Sequence, residues 1–221
     1  MINKYIDHTL LKADATAEQI LRVCSEAITY DFAAVCVNAF YVPLVSSTLK
    51  DSSVNTCTVV GFPLGASPTS TKVQEAQVAI EAGADEVDMV INIGALKNGD
   101  LKYVESDIIA VREECHKHKK ILKVIIETSL LSEEEKISVS KIVSSAKADF
   151  IKTSTGFSTG GATLEDVKLM KENISADVKI KASGGVRDLA MANKMIEAGA
   201  SRIGTSSGIA ICKGETSTSD Y

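Results

Sequence analysis

The chain of 221 residues has no tryptophan, only five phenylalanines and five tyrosines, and only three histidines. Hydrophobic residues still make up 45% of it, so the core must be aliphatic. A net charge of -5 lacks the basic excess of nucleic-acid-binding proteins, and the densest basic run, HKHKK at 116–120, is typical of a solvated helix end. No apolar run approaches the roughly 20 residues that span a membrane. Neither nucleic acid nor a membrane is therefore an expected partner.

Residues for a disulfide framework or a metal centre are also scarce. The five cysteines are odd in number and lack close pairs, which argues against disulfides and against a zinc ribbon. A histidine-ligated metal needs a cluster, whereas His116 and His118 point to different sides of a helix. Cys36 has no well-placed histidine to activate it as a nucleophile and is better explained as a buried structural residue. We expect neither a metal nor a cofactor.

The chain reads as a single domain over residues 1–221, with a short polar tail from about residue 213. No linker or low-complexity run divides it. The start, MINKYIDHTLLKADAT, lacks the apolar stretch of a signal peptide, which indicates a cytoplasmic protein. The sequence does not specify an oligomeric state, and a homodimer is compatible with it.

Short β-rich runs alternate with helical patterns along the whole chain. Capping boxes at Thr16 and Ser132, and capping residues at Thr163 and Asp188, begin four of the seven predicted helices. Such alternation predicts a parallel sheet with helical crossovers, and eight units in this length fit a single closed (β/α)8 TIM barrel. A doubly wound open sheet is the alternative, but no GxGxxG follows the first strand. The eight predicted strands are 5–9, 33–38, 55–62, 86–92, 121–128, 149–154, 178–183 and 201–207.

Three predicted strands carry a charged residue where a barrel interior is normally apolar. These residues are Asp88, Lys152 and Lys181. Strands six and seven are neighbours about 4.8 Å apart, so the two lysines are expected side by side. Mutual repulsion and burial would both lower a lysine pKa from about 10.4 toward about 7–8, giving a reactive amine. Asp88 can shuttle protons, and it is also expected to pair with Lys123 on strand five.

Glycines and serines occupy the two loops where barrel enzymes often bind phosphate, after strands seven and eight. Gly184 and Gly185 follow strand seven, and Ser206 and Ser207 follow strand eight. Backbone N–H groups and hydroxyls in such loops can face an anion. A phosphorylated small molecule is therefore the expected partner. The long loop after strand three, GFPLGASPTSTK at 61–72, is either a rim of the pocket or a connector.

Several motifs together resemble the deoxyribose-phosphate aldolase family over residues 5 to 208. The motifs are YIDHTLLK, GFPLGASPTSTK, EVDMVIN, FIKTSTGF and KASGGVR. The resemblance implies a metal-free class I lyase that reversibly cleaves 2-deoxyribose 5-phosphate to acetaldehyde and glyceraldehyde 3-phosphate. Another Schiff-base lyase and a non-catalytic sugar-phosphate-binding barrel are the alternatives. The Lys152 and Lys181 pair argues against the second, because binding alone does not require two lysines in one wall.

The resemblance also implies residue roles. Lys152 matches the Schiff-base lysine, Lys181 the second lysine that tunes it, and Asp88 the proton-relay aspartate. The phosphate-loop residues are matched by Gly184, Gly185, Ser206 and Ser207, and pocket-lining positions are matched by Asp7 and Thr155. Phe157 stands where some members have a phosphate-directed lysine, which indicates a weaker or differently arranged grip on the phosphate. Tyr221 matches a C-terminal tyrosine that reaches the site in some members.

Overall fold

A computed structural model, which describes residues 2–217, shows eight parallel strands that pair in chain order and close when β8 pairs with β1. The predicted TIM barrel is therefore confirmed, and all eight predicted strands are present. Tyr221 lies outside the described residues. The strands are β1 (Ile6–Leu10), β2 (Ala34–Val37), β3 (Asn55–Val60), β4 (Glu86–Val90), β5 (Ile121–Ile125), β6 (Phe150–Lys152), β7 (Lys179–Ser183) and β8 (Arg202–Thr205).

Helices cover the outside of the barrel in the described part of the chain. They are α1 (Ala17–Tyr30), α2 (Val42–Leu49), α3 (Thr69–Glu81), α4 (Ile93–Lys97), α5 (Leu101–Lys117), α6 (Glu133–Ser145), α7 (Leu164–Asn173), α8 (Leu189–Ala198) and α9 (Gly208–Lys213). Three short 3-10 helices span Ile2–Tyr5, Ala39–Tyr41 and Thr128–Leu130. None of the described helices is long and apolar enough to cross a membrane.

The predicted capping residues begin the helices as expected. Thr16 and Ser132 each form a complete capping box, and the side chains of Thr163 and Asp188 accept backbone N–H bonds from the first turns of α7 and α8. These bonds satisfy donors that a helix start would otherwise leave unpaired. The sequence pattern does not predict α4 and α9, because five or six residues are too few to show helical periodicity.

The strands are apolar on the face that meets the helices and unusually charged on the face that lines the barrel. Side chains alternate along a strand, so residues two apart share a face. On β4, Val87 and Met89 pack in the main apolar core, whereas Glu86 and Asp88 carry buried carboxylates. The interior is thus a polar layer enclosed by an aliphatic shell, and that layer contains the candidate site.

Candidate active site

Lys152 and Lys181 occupy directly paired positions on β6 and β7, as predicted. Their ammonium nitrogens do not simply face each other, because both donate to the same oxygen of Asp88. The distances to Asp88 Oδ2 are 2.8 Å for Lys152 Nζ and 2.7 Å for Lys181 Nζ. Lys152 is 3% exposed, whereas Lys181 and Asp88 have no exposed surface. The three residues form one contact group, with Lys152 the member that opens to solvent.

The other oxygen of Asp88 is occupied by Lys123, its register partner on β5. Lys123 Nζ donates to Asp88 Oδ1 at 2.8 Å, which confirms the expected pair. The same nitrogen lies 2.6 Å from Glu86 Oε2 and 3.7 Å from Asp7 Oδ2. Asp88 therefore accepts hydrogen bonds from three lysines, and it is held rigidly at the centre of the barrel.

A second layer of charges supports this group from the amino-terminal side of the strands. Asp7 on β1 pairs with Lys181 at 2.5 Å and with Arg202 on β8 at 2.5 Å. The Arg202 guanidinium also reaches both oxygens of Glu86, at 3.1 Å each. Asp7 is fully buried, so its carboxylate contacts cations rather than open space. Its observed place is thus behind Lys181, and not on the accessible wall of a pocket.

The protonation of these groups follows from their mutual contacts. Burial would raise the pKa of the Asp88 carboxyl, but Lys123, Lys152 and Lys181 outweigh burial and hold that pKa well below its ordinary value. Burial would lower the pKa of Lys181, but Asp7 and Asp88 raise it well above the ordinary lysine value. The prediction that repulsion and burial lower both lysine pKa values is therefore wrong for Lys181, which remains a fixed cation.

Charge counting singles out one cation among the described residues of this cluster. Its carboxylates are Asp7, Glu86 and Asp88, and its cations are Lys123, Lys152, Lys181 and Arg202. Four cations face three carboxylates, so the cluster carries one surplus positive charge if every group is ionised. A low-dielectric interior penalises such a surplus. Lys152 alone among the three lysines has exposed surface.

A glycine on β8 makes room for the Lys181 side chain. A Cβ atom placed on Gly204 would lie 3.0 Å from Lys181 Cε and 2.8 Å from Ser183 Cβ. Any larger residue would have to displace Lys181 or the end of β7. Gly204 lies within β8 and shapes the lysine site.

The loop after β6 is held by a buried glutamate that no sequence pattern predicts. Glu127 is 2% exposed, has a left-handed backbone with φ 55°, and accepts from the Thr155 backbone N–H at 3.2 Å. The Thr155 hydroxyl also donates to Glu127 and accepts from the Phe157 N–H at 3.0 Å. Thr155 thus holds the loop, and its polar groups are already occupied. The run ILKVIIET shows no signal for this role, because Glu127 lies just beyond the regular strand.

The predicted phosphate-loop residues follow β7 and β8 at the carboxyl ends of the strands. Gly184 and Gly185 have φ values of 87° and 80°, a conformation that favours glycine. The β6 loop returns against them, since the Ala162 N–H donates to the Gly184 carbonyl at 3.0 Å. Ser206 and Ser207 line a cavity of about 400 Å³ that Lys12 and Arg22 also line. Glu26 and Glu215 line the same cavity, so cationic and anionic side chains both stand near the serine loop.

The loop after β3 forms part of the rim. The ring of Phe62 packs edge-on against the ring of Phe157 in the β6 loop, with centroids 5.2 Å apart. This contact favours the rim interpretation of residues 61–72 over a simple connector. Phe157 is 49% exposed, so an aromatic ring lies at this part of the rim.

Comparison with known proteins identifies relatives along the whole chain. The model of the DeoC/LacD family of aldolases matches residues 1–214. A deoxyribose-phosphate aldolase of Finegoldia magna is 59% identical over 96% of this chain and 99% of its own, and one of Lactococcus lactis is 56% identical over 100% and 99%. A tetrameric deoxyribose phosphate aldolase from Aeropyrum pernix superposes with a TM-score of 0.90, at 31% identity, over 96% of this chain and 89% of its own.

Proposed function

Because the chain belongs to the DeoC/LacD family of aldolases, we propose that it reversibly cleaves 2-deoxy-D-ribose 5-phosphate to acetaldehyde and D-glyceraldehyde 3-phosphate. The names of its relatives support this substrate. The single observation that carries the chemistry is Lys152, the one partly exposed lysine in a cluster with a surplus positive charge. The reaction belongs to the breakdown of deoxynucleosides, in which a phosphorylated deoxysugar must be split.

The first step is attack by the neutral amine of Lys152 on the aldehyde carbon of the open-chain sugar. The carbinolamine then loses its hydroxyl as water and becomes an iminium, which is cationic again. Asp88 Oδ2, which lies 2.8 Å from Lys152 Nζ, is positioned to stabilise that cation. No metal is required for this route, because the iminium itself accepts the electron pair of the breaking bond.

The second step breaks the bond between C2 and C3. The C3 hydroxyl loses its proton and becomes the aldehyde of glyceraldehyde 3-phosphate, while the bond electrons form an enamine on Lys152. The enamine is protonated at C2, and water hydrolyses the resulting iminium to acetaldehyde and free Lys152. Asp88 and an ordered water are the proposed proton carriers, whereas Lys181 acts through its fixed positive charge. Lys181, kept cationic by Asp7 and Asp88, also holds Asp88 in place.

The phosphate end of the substrate is proposed to lie against the loops that follow β7 and β8. Gly184 and Gly185 offer backbone N–H groups, and Ser206 and Ser207 offer hydroxyls. Phosphate contacts would place the sugar with C1 against Lys152, a positioning effect on the rate. Thr155 contributes through the shape of the β6 loop, since its own hydroxyl and N–H contact Glu127.

Borohydride trapping tests the covalent step directly. Incubation with acetaldehyde and sodium borohydride should add one reduced ethyl group to the peptide that contains Lys152 and should abolish activity. The Lys152→Ala variant should gain no such group and should have no measurable activity. A Lys136→Ala variant is the control, because Lys136 pairs with Asp166 on the outer helices. The absence of any adduct on Lys152 would support a non-catalytic binding barrel. An adduct that forms only with carbonyls other than acetaldehyde would support another Schiff-base lyase.

We also propose that the chain acts in the cytoplasm and self-associates as a homodimer. All five cysteines are free thiols, which suits a reducing compartment. The Aeropyrum pernix relative is described as tetrameric, so association occurs in the family, although with a different number of subunits. Light scattering across a dilution series would measure the mass of the particle, and a constant monomer mass would contradict self-association.

A further inference from the structure

Two free thiols face each other inside the barrel, and the proposed aldol chemistry uses neither. Cys36 on β2 and Cys57 on β3 are directly paired in the strand register, and both are completely buried. Together with Leu11, Ala34 and Val59 they form a small apolar cluster separate from the main core. This cluster forms the wall of the barrel beside Asp88.

The third member of the group is Asp88 itself. Cys57 Sγ donates to Asp88 Oδ1 at 3.2 Å, and the Cys36 sulfur, the Cys57 sulfur and a carboxylate oxygen of Asp88 all lie within 4.8 Å of one another. In a tetrahedral zinc site, metal–sulfur and metal–oxygen bonds of about 2.3 and 2.0 Å place neighbouring ligand atoms about 3.5–3.8 Å apart. A shift of about 1 Å or less would therefore bring the two sulfurs and the oxygen to three vertices of such a site.

Charge balance allows a cation here despite the neighbouring lysines. A divalent ion that displaces the protons of two thiols leaves the total charge of the cluster unchanged. Lys123 Nζ lies 3.3 Å from Cys57 Sγ and can donate to the resulting thiolate. Two thiolates and one carboxylate are a donor set that favours an ion with strong affinity for sulfur.

A second grouping, of Cys57 with Asp7 and Glu86, is less suited to an ion. It supplies a single thiolate, whereas the group of Cys36, Cys57 and Asp88 supplies two. The pair of sulfurs on β2 and β3 is therefore the better site for a sulfur-seeking metal.

We propose that Cys36, Cys57 and Asp88 bind one thiophilic divalent cation of the zinc class, and that this ion inhibits the enzyme. The exchange is M²⁺ plus two thiols giving an M²⁺ dithiolate and two released protons, with no change of oxidation state. The ion takes the place of the proton between Cys57 Sγ and Asp88 Oδ1. The ion thereby binds the same carboxylate that contacts Lys152, and water fills the fourth coordination position.

Cadmium binding tests this site without relying on turnover. The reduced protein carrying Cys212→Ser, which removes the one partly exposed thiol, should bind one Cd²⁺, release two protons and gain the ultraviolet cadmium–thiolate band. Cys36→Ser and Cys57→Ser in that background should each weaken binding at least tenfold and release at most one proton. Cys115→Ser is the matched control, because Cys115 is equally buried but lies on α5 outside the barrel, and it should bind as the parent does.

Anomalous scattering from a cadmium-soaked crystal of the parent locates the ion without any substitution at the site. A peak between the two sulfurs and Asp88 supports the proposal, whereas a peak only elsewhere, or no peak, overturns it. Equal cadmium affinity in the parent and in both serine variants also overturns it. Borohydride trapping on Lys152 is measured separately without cadmium, so failure of the metal site leaves the proposed aldolase chemistry intact.

Discussion

Removal of the fixed cation beside Lys152 is the sharpest perturbation of the proposed mechanism. Lys181→Met deletes one positive charge, so three carboxylates then face three cations and the surplus charge disappears. Lys152 becomes a required counterion, and its deprotonation becomes more costly. The two lysine nitrogens contact the same Asp88 oxygen at 2.8 and 2.7 Å, so they lie at most about 5.5 Å apart, the sum of these distances.

The expected size of the effect follows from that distance. At about 5.5 Å and an effective dielectric constant of about 20, two unit charges interact by about 3 kcal/mol, equivalent to about two pH units. The acidic limb of the pH profile of kcat/KM should therefore move up by about two units. At neutral pH the value should fall about 100-fold, with partial recovery in alkaline buffer.

The assay is cleavage of deoxyribose 5-phosphate, coupled to reduction of the triose phosphate product, across a pH series. Lys181→Arg should keep the limb near its parental position, because it keeps the charge. Lys179→Met is the matched control, since it removes an exposed charge from the same strand two residues earlier. A loss of activity that is equal at every pH would refute the electrostatic role and would indicate direct proton transfer by Lys181.

Three further substitutions have defined outcomes. Glu127→Ala should raise KM for deoxyribose 5-phosphate at least tenfold, because the β6 loop loses three hydrogen bonds, and Glu127→Gln should recover part of this; an unchanged KM in Glu127→Ala would contradict it. Lys72→Met should cost about 3–5 kcal/mol in urea unfolding, because it leaves the fully buried Asp107 carboxylate without its 2.6 Å ion pair, whereas Lys72→Met with Asp107→Leu should be much less destabilised; equal losses would contradict this reasoning. Gly204→Ala should lower kcat by more, expressed as a free energy, than it lowers the free energy of unfolding, because the added methyl group meets Lys181. A parental kcat would show that the lysine can shift freely.

The barrel and the three central residues were predictable from the sequence because they depend on short-range pattern. Strand period and capping residues gave the order of elements, and alternation placed Asp88, Lys152 and Lys181 inside. The interior position of Glu86 could be predicted in the same way, because Glu86 lies two residues before Asp88 on the same face. Its pairing with Arg202 could not be predicted, because that pair joins residues 116 positions apart.

The protonation of Lys181 could not be predicted because it depends on contacts across the barrel. Neighbouring strands alone suggest repulsion between two lysines. The observed outcome depends on Asp7, which comes from β1 and meets Lys181 only when the barrel is closed. Glu127 was missed for a different reason, since a loop carboxylate that bonds backbone N–H groups leaves no periodic mark in the sequence.

The ion pair between Asp7 and Arg202 joins residues 195 positions apart, on the first and last strands of the barrel. Contacts of such separation form late in folding, because the loop-closure entropy must be overcome before they contribute. A nascent chain can therefore form most of its helices before β8 is in place and before Asp7 contacts Lys181. Recovery of aldolase activity after dilution from urea should lag behind recovery of helical circular dichroism, so turnover itself reports barrel closure.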